Sequence, residues 1–119
     1  MRILLTSALL VLLAIAMGQT PACADSTVHF EFEVSPPARW LTDTTGAVRP
    51  TPAVRDPSNL IQFVVDTLGA PQPRTFRALR VTDSALVAEA RRTFSSWRYA
   101  PALLNGCRVR QLVQTPIGR

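Results

Sequence analysis

A chain of 119 residues that is 47% apolar has material for one small domain plus a short extension. Its 13 basic residues are all arginine against 8 acids, a net charge of +5, and arginine-favouring codon usage accounts for the absence of lysine. Dispersed arginines and an expected export argue against a nucleic-acid role, and the one cysteine and one histidine left by a cut after Ala24 cannot build a zinc site.

In chain order, Met1-Arg2 is a positive start, Ile3 to Met17 is an apolar run broken only by Thr6 and Ser7, and Ala22-Cys23-Ala24 offers an A-x-A cleavage site. Residues 1–24 are therefore expected to be a secretory signal peptide in helical form. The run is shorter than the roughly 20 residues that span a bilayer. Two alternatives stand beside cleavage: retention as a membrane anchor, and acylation of Cys23, for which Thr20-Pro21-Ala22 is a poor lead-in. A cut after Ala24 leaves Cys107 as the one thiol, so no internal disulfide is expected.

Residues 25–59 read as an extra strand and a linker. Val28, Phe30, Phe32 and Val34 alternate with His29, Glu31 and Glu33, which predicts a strand with four apolar side chains on one face. His29 and Glu31 are too few to hold a metal. From Ser35 to Ser58 the prolines at 36, 37, 50, 52 and 57 predict an extended connection, with Trp40-Leu41 as one sticky point.

The compact module spans residues 60–119. Leu60 to Asp66 and Thr75 to Val81 predict a hairpin around Thr67-Leu68-Gly69-Ala70. Thr82 or Asp83 caps a helix in which Leu86, Ala90, Phe94 and Trp97 form one stripe against the sheet. Trp97 and Tyr99 anchor the helix exit and Pro101 forbids continuation. Asn105-Gly106 supplies a tight turn, and a last strand runs from about Cys107 to Thr115, stopped by Pro116 and Gly118-Arg119. Gly69 and Gly106 are expected at positive φ. The predicted fold is α+β: a small antiparallel sheet with one helix across it, in the order β-β-α-β. No nucleophile has a base placed by a recognised motif, and Asp66, Asp83 and Glu89 read as caps and turn residues, so catalysis is not expected and no cofactor is called for.

Val65, Asp66 and Gly69, then Trp97, Arg98, Tyr99, Pro101 and Ala102, then Asn105-Gly106, and finally Pro116-Ile117 follow one another in an order and spacing that resembles the TonB C-terminal domain family of periplasmic energy transducers. The resemblance covers about Leu60 to Arg119. It departs in lacking the aromatic-proline pair that opens the family domain and in ending on Gly118-Arg119 instead of an aromatic.

The resemblance implies a periplasmic module whose last strand is an open edge, Arg108, Val109, Arg110, Gln111, Leu112, Val113 and Gln114. That edge would take an extended peptide from a TonB-dependent outer-membrane transporter by strand addition. On the residues alone, Arg108, Arg110 and Gln114 share one face and read equally well as a solvated guard against aggregation. Three readings stay open: energy-coupled transport across the outer membrane, a free exported interaction domain with no energy-transducing role, and an assembly protein or homodimer in which Val28 to Val34 fills the edge. Membrane association is expected only with a retained leader or an acylated Cys23.

Overall fold

The computed structural model describes residues 20–24, 26–41 and 47–119. The expected leader falls, up to residue 19, outside the described residues. In chain order the elements are β1 (Val28–His29), β2 (Arg39–Leu41), β3 (Arg49–Pro50), β4 (Leu60–Val65), β5 (Arg77–Arg80), the helix α1 (Ser84–Thr93), β6 (Arg98–Ala100), β7 (Ala102–Leu104) and β8 (Cys107–Gly118). The result is an α+β fold with one helix on a curled, mostly strand-built sheet. Strand order in the main sheet is β1-β8-β4-β5, with β3 and β7 also pairing to β8; β2 and β6 form a separate pair.

Local sequence rules account for the hairpin and helix. The Asp66 carboxylate accepts the N–H groups of Leu68 and Ala70, both at 2.9 Å, and so closes the β4 turn. Gly69 follows at φ +85°, and a Cβ there would collide with the Tyr99 carbonyl oxygen. The close approach is itself a bond, because the Tyr99 N–H donates to the Gly69 carbonyl at 2.9 Å. Asp83 caps α1 by accepting the Leu86 N–H at 3.1 Å. Asn59, buried at the head of β4, accepts the N–H groups of Thr82 and Asp83, tying the helix start to the sheet.

Packing follows the predicted stripe. Leu86, Ala90, Phe94 and Trp97 are all buried, and they lie against Ile61, Phe63, Val65, Val113 and Ile117. Phe63 is the hub. Its ring centroid lies 5.5 Å from Phe94, 5.9 Å from Trp97 and 5.8 Å from Tyr99, and the Trp97 and Tyr99 contacts are edge-on. A smaller cluster of Val34, Ala102 and Val109 sits at the other end, joined by Cys23, Ala38 and Leu104.

The structure departs from the sequence expectation in four ways. The alternating run Val28 to Val34 yields strand only at Val28–His29, then turns into a short 3-10 segment, Glu31–Glu33. Glu33 causes the turn chemically: its carboxylate accepts the Phe30 N–H at 2.9 Å, bending the chain out of the extended path. Phe30 and Phe32 consequently stack on each other, centroids 5.5 Å apart, at 51% and 86% exposure. His29 is the buried member instead.

The expected linker is structure as well. Trp40 pairs with Tyr99 through β2 and β6, Val48 is a fully buried core residue, and Pro50 pairs with Ile117. Ser35 and Pro36 exchange main-chain bonds with Leu103, the Ser35 N–H giving to Leu103 and the Leu103 N–H giving to Pro36. Proline is compatible with this role because the chain lies at edges, where a missing N–H costs no ladder bond.

The third departure concerns β8, which passes through Pro116 to Gly118 instead of stopping. The ring nitrogen is harmless there, since the Ile117 N–H still reaches the Asn59 carbonyl and the Pro116 carbonyl still accepts the Thr51 N–H.

The fourth is covalent. Cys23 and Cys107 form a disulfide, so Cys107 is not the lone thiol that a cut after Ala24 implied. Their separation of 84 residues makes this a large loop, for which chain-entropy reasoning gives about 4.5 kcal/mol of stabilisation. Reduction, or Cys107→Ser, is expected to lower the unfolding free energy by roughly that amount in urea titrations. Gly69→Ala, combining a positive φ with a backbone collision, is expected to cost on the order of 3 kcal/mol in the same assay, whereas Gly106→Ala, at positive φ but in open space, costs about 1 kcal/mol.

Candidate functional site

The strand that the family resemblance marks as a partner edge is the central strand of this sheet. β8 runs antiparallel to β4 from Gln111 to Pro116 and to β7 from Cys107 to Val109. Its opposite side is occupied at both ends. At one end Cys23 donates its N–H to Arg108 and Arg108 donates to Pro21, both at 2.8 Å, and Val28 and His29 pair in parallel with Arg110 and Gln111. At the other end Arg49 and Pro50 pair with Gly118 and Ile117. The expectation of a continuous open edge from Arg108 to Gln114 is therefore corrected over residues 108–111, which the chain's own N-terminal segment covers.

Between these two occupied ends, β8 has β4 on one side and nothing on the other among the described residues. The gap is Leu112 to Thr115. Alternation identifies which groups face it. Arg108 and Pro116 direct main-chain groups away from β4, toward Pro21, Cys23 and Thr51, and so do the residues of the same parity between them, Leu112 and Gln114. The side chain of Gln114 is exposed and its amide donates to Gln62 at 2.8 Å.

The remaining named edge residues are structural. Val109 and Val113 are buried in the two apolar clusters. Gln111 is buried, accepts the Ala38 N–H at 2.6 Å and donates to the Leu112 carbonyl at 3.3 Å. Arg108 reaches the Thr67 carbonyl at 3.1 Å, and Arg110 bridges the Ser26 carbonyl, at 3.3 Å, to the Gln72 side chain, at 2.6 Å. These guanidiniums brace neighbouring segments instead of forming a freely solvated guard face.

A groove of about 400 Å³ adjoins the gap. Gln111, Val113, Gln114 and Thr115 line it together with Trp40, Tyr99 and the prolines 36, 37, 50, 52 and 101. Proline rings present apolar surface and no N–H. The Trp40 indole N–H and the Tyr99 phenol are buried with no hydrogen-bond partner among the described residues. Burial pushes the Tyr99 phenol above its ordinary pKa, so it stays a neutral donor. A groove with a largely apolar lining suits an extended segment that brings modest apolar side chains. Glu31 and Arg39 place one charge of each sign on its lining.

The helix-exit motif serves this geometry from behind. Trp97 is fully buried under α1, Tyr99 lies in the core and in the groove lining, and Pro101 divides β6 from β7. Asn105 and Gly106, at φ +51° and +85°, make the turn into β8. The residues that sequence reasoning missed are Pro36, Pro37, Trp40, Pro50 and Pro52. The one signal that could have found them is an aromatic-aliphatic pair, Trp40-Leu41, stranded in a proline-rich stretch. The carboxylates Asp66 and Asp83 are spent on a turn and a cap, while Glu89 and Asp83 each lie 3.9 Å from Arg119.

The bend that frees the gap is pH-sensitive. The Phe30 N–H and, secondarily, His29 hold the Glu33 carboxyl below its ordinary pKa. A lowered pKa stabilises the bend at pH above the ordinary carboxylate range and loses that contribution as the pH falls through the folded-state value. Protection of the Phe30 amide from hydrogen exchange is expected to be flat near neutral pH and to fall as the pH drops beneath the ordinary carboxylate range. In Glu33→Gln it should be lower at neutral pH and lack the acid step.

The chain matches no family model, no curated protein and no solved structure.

Proposed function

We propose that this protein is an exported interaction domain of the TonB C-terminal kind, working in the periplasm by binding protein and not by catalysis. Its ligand is a short extended segment that adds beside β8 at Leu112–Thr115 and lays its side chains in the Trp40–Tyr99 groove. The observation that carries the reading is the gap itself: a central strand paired on both sides at each end, with four residues one-sided among the described residues and a proline-lined groove beside them. Strand addition fits because main-chain donors and acceptors give affinity while alternate side chains give selectivity.

The geometry favours the free interaction domain over a force-transmitting transducer. A transporter peptide spanning Arg108 to Gln114 would have to displace residues 21–29, and the bridge at Cys23 holds that segment in place. A partner matched to the gap needs no displacement. Energy-coupled binding of an outer-membrane transporter peptide along the longer edge remains the second reading, favoured by the order of the motif residues from Val65 to Ile117.

The test uses the oxidised full chain and peptides selected on it from a random phage-displayed library. Bound peptide is expected to shift the amide resonances of Leu112 to Thr115 and the Trp40 indole. Gln114→Pro removes one donor from the open side and none from the β4 ladder, so it should weaken binding about tenfold while leaving thermal unfolding nearly unchanged. Peptides that bind with shifts confined to other surfaces, or with equal affinity for Gln114→Pro, would sink the gap as the site. Binding that appears only after reduction would favour the longer edge and the transducer reading.

A further inference from the structure

We infer that the leader is cut upstream of Pro21, at one of two overlapping small-x-small sites, Ala14-Ile15-Ala16 or Ala16-Met17-Gly18, and that the mature chain keeps Cys23 for the bridge to Cys107. The inference rests on the reading of the protein as exported. It replaces the cut after Ala24, which is the most conspicuous A-x-A site in the sequence.

Three observations require residues 21–23 in the finished protein. The Cys23 sulfur is bonded to Cys107. The main chain on both sides of it is paired, with the Cys23 N–H on the Arg108 carbonyl and the Arg108 N–H on the Pro21 carbonyl, and Ala22 bridges Arg108 in parallel. Cys23 also packs against the Val34, Ala102 and Val109 cluster. A cut after Ala24 would strip β8 of these partners, leave the Arg108 N–H and carbonyl unpaired and leave Cys107 without its bridge. A segment discarded during export has no reason to complete a sheet edge.

The upstream sites meet the recognition rule equally well. Alanine or glycine stands at the positions three residues before and immediately before each cut, and the apolar run from Ile3 is already long enough for a signal core. Cleavage adds water across the peptide bond after Ala16 or Gly18, giving a carboxylate on the leader and a new amino terminus at Met17 or Gln19. Bridge formation then removes two protons and two electrons from the thiols of Cys23 and Cys107. A disulfide-bearing oxidant of the export compartment accepts them and becomes a dithiol. The same bond excludes acylation of Cys23, since one sulfur cannot hold both a lipid thioether and a disulfide.

The experiment expresses the full 119-residue chain in a bacterial host and measures the intact mass of the envelope-released protein, with and without reduction, after iodoacetamide treatment. The expected product begins at Met17 or Gln19, resists alkylation until reduced, and then takes up two alkyl groups. Ala16→Leu spoils both proposed sites at once and should leave an uncut precursor in the membrane fraction. Ala22→Leu/Ala24→Leu spoils only the downstream site and should be cut as the parent is. A product beginning at Asp25 with an alkylatable Cys107, or one beginning at an acylated Cys23, overturns the inference while leaving export intact. A parent chain that stays uncut in the cytoplasm overturns the export reading and this inference together.

Discussion

The structure depends on β8 being paired on both sides. β8 is a strand of 12 residues, and its odd-numbered residues from Val109 to Ile117 are all buried, the apolar Val109, Val113 and Ile117 alternating with Gln111 and Thr115. Burying that face fixes β4, α1 and the aromatic hub at Phe63, which give up their own apolar faces to it. Main-chain groups on its second edge then become the problem, since an unpaired long edge invites association with other chains. The N-terminal third supplies most of the answer: Pro21 to Cys23 and Val28–His29 at one end, Arg49–Pro50 at the other. What remains one-sided is short enough to act as a recognition element rather than a general adhesive.

The other edge of the main sheet is managed differently. β5 is four residues long and carries Arg77 and Arg80, with Arg80 tied to the Pro57 carbonyl and lying 3.8 Å from Asp56. Charge and shortness suffice there. β8 has neither defence over Leu112 to Thr115, and its neighbours are apolar rings. The contrast between the two edges, one guarded by arginine and one opening onto prolines and aromatics, is the physical reason for placing recognition at β8.

Features set by residues close in sequence were legible before the structure. Asp66 and Gly69, the Asp83 cap, the stripe from Leu86 to Trp97 and the Asn105-Gly106 turn all act across a few positions, so composition and spacing expose them. The N-terminal third resisted the same treatment because its determinants are distant. Nothing local to Val28 says that its partner is Arg110, and the period-two signal through Val34 is overridden by one carboxylate bond from Glu33 to the Phe30 amide. Nothing local distinguishes prolines that line a groove from prolines that space a linker, and the A-x-A pattern around Cys23 masks its bridge to Cys107. The open edge was half legible, since the strand was placed correctly but its neighbours were not.

The bridge also changes what the unfolded protein is. With Cys23 joined to Cys107, the chain becomes a ring that closes at the first residue of β8, and everything from Arg108 onward hangs from it as a single tail. That tail is the strand every other element needs. Even with all packing lost, its root is held beside the segment that flanks it, so the search for the correct register begins from a fixed end and proceeds outward like a zip. The most non-local pairing in the fold, between opposite ends of the chain, thereby becomes a short-range one in the oxidised protein.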